Sequence, residues 1–239
     1  VYPTIETSVR EIMTTTWKIT DARVVPKTDD IVMKDGGRRI DATYAYADLA
    51  GSTKLVQSTL YDETVAKIIR AYINSATRIF REYGGEIRSF DGDRVMAIFI
   101  GDDKNRKAVR AAFAINWAVQ EVIPEAIEAA WSDGKDFKDI SHRVGIDTGE
   151  SLIVRGGARN NSDLISVGSA PNVAAKLSDL KEGYSIYITK AVHEDLDDEL
   201  IHFPTASGRT SNVWSRLRYG QTVGDKHVEV YGSHGRWGV

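Results

Sequence analysis

Two acidic residues stand where a chain can do chemistry. Asp48 follows a strand-like run, Ala42-Thr43-Tyr44-Ala45-Tyr46-Ala47, and precedes Leu49-Ala50-Gly51-Ser52-Thr53, a turn ending in helix N-cap residues. Asp93 closes the turn Asp91-Gly92-Asp93 between two short strand-like runs, about 45 residues further on. If the first strand and this hairpin are neighbours, both carboxylates meet at one sheet edge. Two carboxylates about one metal-ion diameter apart are what two-metal phosphoryl transfer needs: one ion lowers the pKa of an attacking hydroxyl, and both stabilise charge on the phosphate oxygens. The backbone N–H groups of Ala50, Gly51, Ser52 and Thr53 would then form an anion cradle for the terminal phosphates at a helix N-terminus. Taken singly, Asp-Gly-Asp is ordinarily a hairpin turn and Gly-Ser-Thr ordinarily a cap. Together, on these elements, they leave the metal reading and the structural reading both open.

The elements that must position these residues are readable from periodicity. Val65, Ile68, Ile69, Tyr72, Ile73, Ala76, Ile79 and Phe80 recur at helical spacing, and Gly84-Gly85 ends them. Glu86 to Phe90 and Val95 to Ile100 predict the hairpin around Asp93. Residues 105–120 predict a second amphipathic helix that Pro124 interrupts or ends. His142 to Asp147 and Leu152 to Val154 read as another hairpin. A strand over Leu164 to Val167 and a helix through Asn172 and Lys176 follow. Ser185 to Thr189 reads as a strand and 190–197 as a short helix, then a Ser-, Gly- and Arg-rich loop over 204–225 and a last strand, Val228 to Tyr231. Residues 1–40 read as an N-terminal extension and 41–239 as one catalytic domain. The order strand–helix–hairpin–helix–strand describes an α+β, ferredoxin-like fold, a mostly antiparallel central sheet with its helices on one face.

Bulk properties narrow the classes. The chain has 239 residues, 42% hydrophobic and 27% charged, enough for a substantial core. A net charge of −3 gives no reason to expect a nucleic-acid or membrane binder. The absence of cysteine removes disulfides, thiolate nucleophiles and Cys-ligated zinc, and fits a reducing cytoplasm. No apolar run reaches the roughly 18 residues of a membrane span, and Val1-Tyr2-Pro3-Thr4 does not open a signal peptide. The five histidines lack metal-like spacing; they and Arg236 read as structural or surface residues.

The chain resembles the class III nucleotidyl cyclases over about residues 41–190. Tyr46 to Thr53 resembles their first metal-binding motif, and Ser89-Phe90-Asp91-Gly92-Asp93-Arg94-Val95-Met96-Ala97-Ile98-Phe99 their second. Arg143 to Gly149 looks like their central hairpin, and Val167-Gly168-Ser169-Ala170-Pro171-Asn172-Val173-Ala174-Ala175-Lys176-Leu177 like the helix carrying their transition-state residues. The resemblance implies that Asp48, Asp93 and the Leu49 carbonyl bind two divalent ions, Mg²⁺ or Mn²⁺, and that Asn172 orients the ribose. Lys176 stands where the family usually has a phosphate-contacting arginine; it keeps the charge and loses the planar fork. It also implies a head-to-tail homodimer, each site drawing Asp48 and Asp93 from one subunit and Asn172 and Lys176 from the other.

The base-reading positions depart from the purine cyclases. Ser89 stands four residues before Asp93, where adenylate cyclases have Lys and guanylate cyclases Glu, and Ile165 replaces the second reader, Asp or Thr. Neither side chain makes the usual purine contacts. These departures resemble the pyrimidine cyclases of bacterial anti-phage (Pycsar) systems. Tyr46 and Arg88 would fill the pocket, and Arg88 would donate to a uracil carbonyl, whereas the cytosine amino group prefers an acceptor. UTP is therefore the expected substrate, with cyclic UMP as the product. The alternatives are a cytidylate cyclase, an adenylate cyclase with unusual readers, and a silent nucleotide-binding domain. A diguanylate cyclase is disfavoured because Ile87 stands where its second carboxylate belongs. A nucleic-acid-binding ferredoxin-like module would want exposed aromatics on a basic sheet.

Overall fold

The computed structural model describes residues 3–51, 55, 60–134, 137–158, 161–205, 208–218, 220–223 and 226–238. Two long antiparallel strands form its spine: β2 (Gly36–Ala50) and β5 (Ser141–Ala158), in register from Gly37↔Val154 to Ala50↔Ser141. Outward from β2 lie β4 (Arg94–Phe99) and then β3 (Glu86–Asp91), both antiparallel. A short β1 (Lys18–Asp21) joins the start of β2 in parallel. Beyond β5 lie β6 (Asn161–Val167) on its second half and β7 (Ile186–Thr189), parallel, on its first. Late strands β10 (Trp214–Arg216) and β13 (Val230–Ser233) extend the far edge, giving the order β10-β13-β7-β5-β2-β4-β3. The sheet is thus mostly antiparallel, flanked by helices, and α+β in class.

Strand alternation divides the core in two. Ala45, Ala47 and Leu49 of β2, with Val95, Ala97 and Phe99 of β4, face the long helices α2 (Asp62–Glu82) and α3 (Lys104–Trp117). The alternate residues Tyr44, Met96 and Ile98 face the other way and pack on Ala170 and Ala174 of α5 (Ser169–Ser178). Helices therefore cover both faces of the sheet, where the pattern of elements had suggested one. Small residues on α5 and Gly145 beneath it permit the close approach. A Cβ at Gly145 would come within 2.2 Å of the Ala174 carbonyl oxygen.

Four local expectations change or sharpen. The hairpin expected between His142 and Val154 is a single strand, because β2 backs its whole length and Gly149 stays in the ladder opposite Ala42; the chain reverses after Ala158 instead. Pro124 does not end its helix but follows an interruption in it. The backbone widens into a π-helical segment over Ala118–Val122 and continues as α4 (Ile123–Ala130), with the proline in the first turn, where its missing N–H is not needed. The helix expected over 190–197 is a single turn, α6 (Lys190–His193), and a second single turn, α7 (Asp198–Ile201), follows beyond that range. The expected loop over 204–225 contains paired strands: β8 (His202–Pro204) with β9 (Thr210–Asn212), and β11 (Gln221–Val223) with β12 (Lys226–Val228).

The N-terminal segment begins with α1 (Ile5–Thr14), capped by the Thr4 hydroxyl, which accepts from the Thr7 N–H. Ile31 is buried against Ile40, Tyr44 and Ile98, and β2 runs without a break across position 40.

Candidate active site

Asp48 lies near the end of β2, on the face opposite Ala47 and Leu49, and Asp93 completes the turn between β3 and β4. Because β4 pairs with β2 up to Ala47↔Val95, the turn sits beside the end of β2 and the two carboxylates come together. Burial raises the Asp48 carboxyl above its ordinary value; Arg94 opposes that rise, and the negative charges of Asp93 and Asp179 reinforce it. Asp93 Oδ2 is buried and accepts no hydrogen bond. A buried carboxylate oxygen without a donor, beside a second carboxylate, is the chemistry a divalent cation satisfies, so the residues present fit a metal ion. No cluster of three or more His, Cys, Asp or Glu suited to a metal occurs among the described residues. Further ligands must therefore come from backbone oxygens, water or substrate. Leu49 buries its side chain in the core, leaving only its backbone to take part.

Ala50 is the last residue of β2, and Gly51 takes the left-handed conformation at φ 82°. The Leu55 N–H donates to the Gly51 carbonyl at 3.1 Å. Ser52 and Thr53, expected in the phosphate cradle, lie outside the described residues.

The expected base-reading residues converge on one cavity of about 260 Å³, walled by Tyr46, Arg88, Ser89, Ile165 and Asn172, with Val25 contributed by the N-terminal segment. Burial pushes the Tyr46 phenol up to about 12, so it is neutral. Arg88 and Ser89 are consecutive, and a regular strand would send them to opposite faces. Here the β3–β4 register jumps between Ile87↔Ala97 and Ser89↔Met96, so Arg88 is the extra residue of a β-bulge. That bulge turns both side chains to the cavity. The Ser89 hydroxyl spends its proton on Met96 Sδ at 3.5 Å. Arg88 has a loose ion pair with Asp163 at 3.9 Å. Asn172 and Lys176 lie one turn apart on α5, and both are exposed.

Three residues of this site went unread in the sequence. Arg94 places Nε 3.5 Å from Asp48 Oδ1 and donates from Nη2 to Asp179, just past the end of α5. Tyr72 on α2 is fully buried, its hydroxyl has no hydrogen-bond partner, and the charges of Asp48 and Asp93 add to burial in raising its phenol. Arg94 adjoins a motif residue, which was the available signal. Tyr72 looked like one more apolar position of an amphipathic helix.

A mostly antiparallel α+β sheet, two carboxylates at the ends of adjacent strands, and a neighbouring base-sized cavity define a nucleotidyl cyclase-type catalytic domain. Residues 38–216 match the adenylate and guanylate cyclase catalytic domain family, and the chain belongs to it. It is 41% identical over 232 residues to a uridylate cyclase of Rhodovulum sp. (strain MB263), covering 96% of this chain and 94% of that one. To a uridylate cyclase of Xanthomonas perforans it is 35% identical, over 98% and 97% of the two chains. Among solved structures, the adenylyl cyclase CyaB from P. aeruginosa superposes with a TM-score of 0.66 at 22% identity, covering 82% of this chain and 95% of that one. Enzymes of this family use divalent metal ions. No helix among the described residues is long and apolar enough to cross a membrane.

Proposed function

We propose that this chain is a uridylate cyclase, converting UTP to 3′,5′-cyclic UMP and pyrophosphate. The observation that carries the reading is its similarity, over nearly the whole chain, to two relatives named uridylate cyclase. In the reaction the ribose 3′ oxygen bonds to the α-phosphorus, the bond to the β-phosphate bridging oxygen breaks, and the hydroxyl proton leaves. Asp48, Asp93 and the Leu49 carbonyl would hold two divalent ions, Mg²⁺ or Mn²⁺. When bound, these make the 3′-hydroxyl more acidic and draw charge from the phosphate oxygens. Asn172 would fix the ribose for in-line attack and Lys176 would neutralise phosphate charge as a point cation. Ala50, Gly51, Ser52 and Thr53 would offer backbone N–H groups to the terminal phosphates.

Base choice would rest on the cavity. Arg88, turned inward by the bulge, would donate to a uracil carbonyl, and Tyr46, Ser89 and Ile165 would shape the remaining walls without the purine readers. Asn172 and Lys176 are exposed on α5, as suits a head-to-tail homodimer in which they complete the partner's metal half-site. The enzyme would act in the cytoplasm, making a second messenger in bacterial anti-phage defence, with its control supplied in trans or by expression.

The test is incubation of the purified protein with ATP, GTP, CTP and UTP separately, with Mn²⁺, reading products by mass. Cyclic UMP that disappears in Asp93→Ala is the expected result. Cyclic CMP would reverse the donor argument for Arg88, and cyclic AMP would overturn the roles of Ser89 and Ile165. No product from any triphosphate, with the dimer intact, would favour a silent nucleotide-binding domain.

A further inference from the structure

Arg94 occupies an unusual position for a cation. Its Nε lies 3.5 Å from Asp48 Oδ1 while Nη2 donates to Asp179, and the Arg94 and Asp48 side chains are each only 21% exposed. The other carboxylate of the pair, Asp93, keeps Oδ2 buried and unpartnered. One of the two acids is thus neutralised by the protein and the other is not. We propose that Arg94 is the resident counter-ion of the metal half-site: it balances Asp48 in the metal-free chain, competes with the incoming divalent ion, and is drawn aside by Asp179 when that ion binds. Arg94 is a positioning residue, acting on the metal ligand and not on the substrate.

The physics favours a fork over a point charge here. A guanidinium can serve two carboxylates at once through separate N–H groups, so it can loosen from Asp48 without losing Asp179. A metal ion that needs Asp48 free meets only the fraction of molecules in which Arg94 has moved, and its apparent affinity falls by that fraction. Asp179 sets the fraction. With Asp179 in place, Arg94 has somewhere else to go; without it, Arg94 has only Asp48.

The proposal rests on Asp48 being a metal ligand, and the experiment separates the two ideas. Mn²⁺ alone, without nucleotide, is titrated into the full chain and its variants, and free Mn²⁺ is read by its paramagnetic resonance signal. Asp48→Asn is the control for the site itself, and unchanged binding there would overturn the metal assignment. With that control weakened as expected, Arg94→Gln should bind Mn²⁺ about fivefold more tightly, because the competitor is gone. Asp179→Asn should bind it about threefold more weakly, and Arg94→Lys should fall between wild type and Arg94→Gln. In thermal melts, Arg94→Gln should lose stability with chelator and regain it with Mn²⁺, a crossover that a merely structural role would not produce. Unchanged or weaker Mn²⁺ binding in folded Arg94→Gln would overturn the proposal. If Arg94→Gln does not fold, unchanged binding in Asp179→Asn does the same.

Discussion

His142, on β5, is a buried base. Its Nε2 meets Asn116 Oδ1 at 3.0 Å, and the Asn116 amide in turn donates to the carbonyls of His234 and Gly235 at 3.0 Å each, tying β5 to the C-terminal segment. Its Nδ1 is buried without a partner, and burial, helped by the charge of Arg143, pushes the imidazole down to about 3 from 6.5. The folded chain therefore excludes a proton that the unfolded chain accepts below about pH 6.5. Stability from this group is complete above that value and declines as pH falls through the window towards 3. Between about pH 7 and pH 5 the loss should reach about 2 kcal/mol. Urea denaturation of wild type and His142→Gln at the two pH values checks this; an equal slope in both would refute it. The sequence left His142 as a structural or surface histidine, because nothing local reveals burial. The positions of Asp48 and Asp93 were readable because a turn and a strand end announce themselves by residue type. The Arg94–Asp179 contact spans 85 positions, and no periodicity encodes it.

At the scale of elements, α5 is the part whose placement matters most to the proposed chemistry. It carries Asn172 and Lys176, and it sits directly on the β5 backbone at Gly145. A Cβ there would also come within 2.4 Å of the Ser178 amide nitrogen, and since the obstruction is backbone, α5 must move as a unit. Gly145→Ala should destabilise the fold by roughly 1–3 kcal/mol, as overpacking does. It should also lower turnover about a hundredfold, the scale of a misplacement near 1 Å. Mn²⁺ binding should weaken by no more than the roughly threefold expected of Asp179→Asn, because Asp48 and Asp93 are held by other strands. Parallel loss of metal binding and turnover would show that the glycine supports the whole sheet instead. The long helix α2 was readable because its apolar spacing matches one period throughout, and the β3–β4 hairpin because an Asp-Gly turn separates two short strand-like runs. The continuity of β5 was not, since Thr148-Gly149-Glu150 resembles a turn until β2 lies beside it. The bulge at Arg88 is equally a property of two strands in register.

At the scale of the molecule, the proposed dimer makes each subunit half of two sites, with Asp48 and Asp93 of one chain meeting Asn172 and Lys176 of the other. A mixture of Asp93→Ala and Asn172→Ala chains tests this. Equal amounts that exchange freely form mixed dimers half the time, each with one intact site, so activity should recover to about a quarter of wild type. No recovery, with exchange confirmed by tagged subunits, would place all the residues of a site on one chain. The family match starts at residue 38, yet Val25 is part of the wall of the cavity proposed for the base. A chain trimmed to the matched span would keep every motif residue and still open that cavity to water from one side. Selectivity for the base can therefore drift through changes in a stretch that carries none of the catalytic signature, and a comparison confined to the signature would overlook the cause.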